Sequence, residues 1–172
     1  MKKFLLLEKV DVMITDNEDI IGSIRITEEN YQTDFIVPTS LYYRFTVKNI
    51  CHESIFCSDL HNVKLTIEPD KTLLTVINKA LGWNIYDTDE NKLGWSQTVK
   101  EIEPKKVIEF SLVYILGEEQ NNVIFSPLPS KEALQEIKDN ALKATLVVSQ
   151  DIKEIARFKL DLDKNNIIIL NK

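Results

Sequence analysis

Apolar and polar residues alternate along much of this chain. Leu41, Tyr43, Phe45 and Val47 share one parity, and Arg44, Thr46 and Lys48 take the other, which is the period of a strand with one buried face. Val63, Leu65 and Ile67 alternate with Lys64, Thr66 and Glu68 in the same way. The same kind of reading predicts strands at Phe4 to Ile14, Ile20 to Thr27, Leu73 to Asn78, Trp95 to Glu101, Val107 to Leu116, Leu142 to Ser149, Ile155 to Leu162 and Ile167 to Leu170. Polar clusters such as TDNED, EPD, DTDEN, GEEQNN and DKNN fall between several of them and supply turn chemistry.

One segment breaks the alternation. In SKEALQEIKDNAL, Ser130 to Leu142, the apolar residues Ala133, Leu134, Ile137 and Ala141 recur at helical spacing. Ser130 is placed to cap the first turn and Glu132 to complement the helix dipole. The expected architecture is all-β: an antiparallel sandwich, loosely similar to immunoglobulin-type domains, with one short α-helix at about 130–142 plugging one end. That likeness is one of strand pattern alone, since the Cys–Trp–Cys signature is missing.

Composition narrows the class. A chain of 172 residues, 44% hydrophobic, can bury a core without staples, and with 4 Gly, 5 Pro and no low-complexity tract it reads as a single domain over 1–172. A net charge of −6 with no basic run longer than two residues argues against nucleic acid as a partner. The 18 Lys against 3 Arg, with 21 Ile and 13 Asn, suit an AT-rich microbial or viral coding sequence. The opening MKKFLLLEKVDVMI sets two lysines before an apolar run, but Phe4 to Leu7 is too short for a secretory core and no small-residue cleavage site follows. No stretch reaches the roughly 18 apolar residues of a membrane span. With two cysteines only, a cytoplasmic chain with reduced thiols is expected.

Two segments carry candidate chemistry. ICHESIFCSDLH holds all the cysteines and histidines: Cys51, His52, Cys57 and His61. Two thiolates and two imidazoles form an accepted zinc set, but Cys57 follows Cys51 by six positions and Cys51 and His52 are adjacent, unlike the short spacing of structural knuckles. A Cys–His nucleophile would need an oxyanion donor nearby, and the segment offers no Gly-rich or helix-start element for one. The expectation is therefore a connecting loop, with no metal and no cofactor. A small metal- or Cys-dependent hydrolase centred on Cys51 to His61 is the alternative.

In LGWNIYDTDENKLGW, Leu-Gly-Trp occurs twice around an acidic stretch. Asp87, Asp89 and Asn91 fit the start of a calcium loop, but Lys92 stands where the glycine is needed and Thr98 where the bidentate glutamate belongs. A hairpin turn accounts for the same residues. Trp83, Tyr86 and Trp95 on that hairpin are candidate binding residues, an aromatic platform for a partner side chain or a sugar ring. Packing at the core edge, each tryptophan beside its glycine, is the competing reading.

No GxGxxG, GxxxxGK[ST], GxSxG, HExxH or CxxC occurs. The expected function is non-catalytic: an intracellular module that binds another protein, as an adaptor, inhibitor or subunit of a larger complex, without nucleic acid or membrane. A carbohydrate-binding module using Trp83 and Trp95 is the other alternative.

Overall fold

A computed structural model describes residues 5–27, 33–56, 63–87, 94–96, 101–119, 124–150 and 153–161. Their elements follow in the order β1 (Leu5–Thr15), α1 (Glu18–Ile21), β2 (Ile24–Thr27), β3 (Thr33–Ile36), β4 (Thr39–Asn49), β5 (Ile55–Phe56), β6 (Val63–Pro69), α2 (Lys71–Leu81), β7 (Gly94–Ser96), β8 (Glu101–Ile102), β9 (Val107–Gly117), α3 (Lys131–Asn140), β10 (Ala144–Gln150) and β11 (Lys153–Lys159). The molecule is mostly β. Among the described residues all pairings between these strands are antiparallel and no sheet closes into a barrel.

Alternation builds the larger sheet, ordered β1-β4-β9-β7. Leu41, Tyr43, Phe45 and Val47 of β4 turn inward and are at most 1% exposed. Phe45 and Leu112 lie on neighbouring strands, opposite Phe110 and Tyr43 respectively. On the other face Arg44 donates to Asp11 of β1 at 3.1 Å, a cross-strand pair of opposite charge. The second sheet, β11-β10-β6, contributes Leu65, Ile67, Leu146, Val148, Ala156 and Phe158 to the same buried cluster. Both sheets thus contribute to one buried cluster, each fully buried large side chain adding about 1.5–3 kcal/mol of apolar transfer.

Helices α2 and α3 add side chains to that core. α3 connects β9 of the first sheet to β10 of the second, and the Ser130 side chain accepts from the Ala133 N–H at its start, as its sequence predicts. Ile137 and Ala141 are wholly buried. α2 packs beside α3, and Lys79 reaches Glu136 across the pair at 3.1 Å.

α2 is a correction: the predicted strand Leu73 to Asn78 is helical, so the fold has more than one short helix. Leu73, Val76, Ile77 and Ala80 lie on one helical stripe, with the first three buried. Asp70 caps the first turn by accepting from the Leu73 N–H at 2.8 Å. Gly82 ends the helix at φ 80°, the left-handed conformation that side-chain-bearing residues avoid. The β-branched run TVI weakened this signal in the sequence. EPD accordingly leads into a helix and not into the next strand.

Other boundaries shift. The predicted strand Ile20 to Thr27 divides into α1, capped by Asn17, and β2 beyond Gly22. Trp95 to Glu101 divides into β7 and β8, with 97–100 outside the described residues. β3 and β5 were not predicted. Ile167 to Leu170 lies outside the described residues.

Candidate functional site

Asn49, the last residue of β4, organises the start of the Cys/His loop. Its side chain is fully buried and donates to the carbonyls of Glu53 and Ile102, both at 2.9 Å, while its Oδ1 accepts from the Cys51 N–H. One amide therefore ties the turn at 50–53 to β8 and satisfies its own buried polar atoms. Cys51 is half-buried and His52 exposed. Cys57 and His61 lie outside the described residues, and among the described residues no three His, Cys, Asp or Glu side chains gather as a metal site.

In the tryptophan segment residues 82–87 form no strand, and 88–93 lie outside the described residues. Trp83 follows the α2 cap, and the chain then turns through Asn84, whose Oδ1 accepts from the Tyr86 N–H at 3.0 Å. Trp83 is half-buried and packs against the core. Gly82 is explained by its positive φ and not by an approaching ring, because a Cβ there would meet nothing within 4 Å. Trp95 lies in β7 opposite Val113. Asp89 and Asn91 lie outside the described residues.

Tyr86 is drawn inward, 8% exposed. The Tyr43 hydroxyl donates to the Ala141 carbonyl at 2.9 Å, so the short 2.8 Å contact between the two phenols has Tyr86 as donor to Tyr43. Tyr114 meets the Tyr86 ring edge-on at 4.8 Å, and its hydroxyl is bonded to the backbone of Ile67 in the opposite sheet. Burial pushes all three phenols above their ordinary range. Tyr43 therefore ties the C-cap of α3 to the first sheet, and Tyr86 ties the turn after α2 to Tyr43.

A third region was read only in part from the sequence, since β2 falls within the predicted strand Ile20 to Thr27 and β3 was not predicted. Between the end of β1 and the start of β4, β2 and β3 form a two-stranded ribbon that pairs with no other strand among the described residues. Arg25 and Phe35 are directly opposite and both exposed, Phe35 to 67%. Ile24, Ile26 and Ile36 are half-buried. Ile20 in α1 is 41% exposed. The signal was present as two short apolar runs, SIRIT and DFIV, either side of a polar stretch.

Beside the base of this ribbon runs an open groove. Its lining includes Ile14, Asp16, Thr39, Leu128, Pro129 and Leu134, together with Glu119 and Lys131. Leu128 stands where it does because the chain after β9 folds back. Glu118 N–H donates to the Ser126 carbonyl at 3.1 Å and Leu128 N–H to the Glu118 carbonyl at 3.0 Å. A Cβ at position 117 would lie 2.8 Å from the Ser126 carbonyl oxygen, so only glycine admits that approach.

No known protein family, curated protein or solved structure matches this chain.

Proposed function

We propose that this chain is a non-catalytic binding module whose partner is another protein, and that the β2–β3 ribbon is its contact element. The observation that carries the reading is Phe35, a large aromatic 67% exposed on a ribbon outside the main sheets. A lone two-stranded ribbon is marginal in water, and aromatic and arginine side chains dominate the energetics of protein interfaces. The Phe35 and Arg25 pair supplies one of each. On this reading the two larger sheets are the leaves of a sandwich loosely similar to immunoglobulin domains, and the module works in the cytoplasm, where Cys51 and Cys57 stay reduced. No helix among the described residues is long and apolar enough to cross a membrane.

The test compares affinity isolation of tagged parent protein with a Phe35→Ser variant of equal melting temperature. Proteins held by the parent and lost from the variant are expected, an untagged copy of the chain itself counting as one. Identical sets from both would overturn the assignment of the ribbon.

A further inference from the structure

We infer that the partner is a second copy of this chain: two copies associate about a two-fold axis, Phe35 of each seated in the groove of the other between Ile14, Leu128 and Leu134. This rests on the ribbon being the contact element and goes beyond it by naming the occupant. Three observations converge. First, the projecting residue and the receiving groove belong to one patch. Thr39 lines the groove, and Phe35 lies four residues before it, at most about 14 Å away along an extended chain. A closed two-fold interface requires one self-complementary patch, because each element must meet its counterpart on an identical surface.

Second, the chemistry is complementary. The groove offers the apolar side chains of Ile14, Leu128, Pro129 and Leu134 to a ring that its own chain leaves exposed. Third, the charges match. Arg44 is paired with Asp11, and Arg157 with Glu68 and Glu154, whereas Arg25 has no ion-pair partner among the described residues. Asp16 and Glu119 in the groove lining likewise have none there. Lys131 shares that lining, so it carries one positive charge against two negative. Arg25, directly across the ribbon from Phe35, arrives with the ring and faces the two carboxylates.

Sedimentation of the full chain tests this. The parent should be dimeric at about 100 µM, and Phe35→Ser and Asp16→Lys should each weaken dimerisation at least about tenfold with unchanged circular dichroism. Should Phe35→Ser fail to fold, the charge pair decides alone: Arg25→Asp and Asp16→Lys should each weaken the dimer, and the double variant should regain most of the loss. A parent that stays monomeric at that concentration overturns the inference. So does a dimer indifferent to positions 16, 25 and 35. Either failure leaves the binding-module reading standing if Phe35→Ser still loses a different protein in affinity isolation, and removes both if it does not.

Discussion

The β4 strand and the β2–β3 ribbon follow one another in the chain and use the same alternation to opposite ends. In β4 every inward residue from Leu41 to Val47 is covered, flanked by β1 and β9 and clustered with side chains of the second sheet and two helices. In the ribbon Ile24 and Ile26 alternate with Arg25 and Thr27 and are only half-buried, while Phe35, opposite Arg25, is left in solvent. Both places form strands, but β4 is paired on both edges and its inward face is fully buried, and it is such burial which turns an apolar side chain into stability. The difference separates the part of the molecule that holds the fold from a part that stays exposed.

Substitutions sharpen that contrast in order of expected size. Phe45→Ala, at the centre of β4, should cost about 3–5 kcal/mol in denaturant unfolding, the range for emptying a packed aromatic site. A cost near zero would place β4 outside the core. Tyr43→Phe removes one hydroxyl but leaves the Ala141 carbonyl and the Tyr86 hydroxyl, both buried, short of a partner. A loss of about 1–3 kcal/mol is expected. Equal stability would mean that the two phenols do not share the network described.

Gly82→Ala meets open space but a left-handed backbone, so conformational strain alone should cost about 1–2 kcal/mol. A stabilised variant would show that α2 does not end in that cap. Phe35→Ala should change stability by less than about 0.5 kcal/mol while weakening association. A loss comparable to that at Phe45 would erase the distinction between ribbon and core.

The parts of the fold legible in the sequence are those where local pattern and tertiary burial agree. Strands β1, β4, β6, β9, β10 and β11 each follow an apolar run, and α3 has both its cap and its stripe. α2 was misread because Leu73, Leu74, Val76 and Ile77 satisfy a short strand and a helix face equally well. The arbiters, Asp70 and Gly82, stand at its two ends. Tyr86 was legible as an aromatic near a turn, but its direction was not. Its hydroxyl turns inward because Tyr43, 43 residues earlier in sequence, accepts its proton.

The Cys/His loop was conspicuous for its residue types, yet the side chain that organises its start is the unremarked Asn49. Nothing local distinguishes that asparagine from the others in the chain. β3 and the groove escaped for a related reason, since neither Phe35 nor Leu128 belongs to any motif.

What the sequence by itself determined is the mostly antiparallel β character, the strand faces and the capped helix α3, because alternation, helical spacing and caps act over a few residues and are written there. Only the tertiary structure decided which apolar residues stay uncovered. Whether Phe35 is core or surface depends on whether the rest of the chain covers it, and whether Asp16, Thr39 and Leu128 share a groove depends on the chain after Gly117 folding back. Those are contacts between residues far apart in sequence, and no local pattern encodes them.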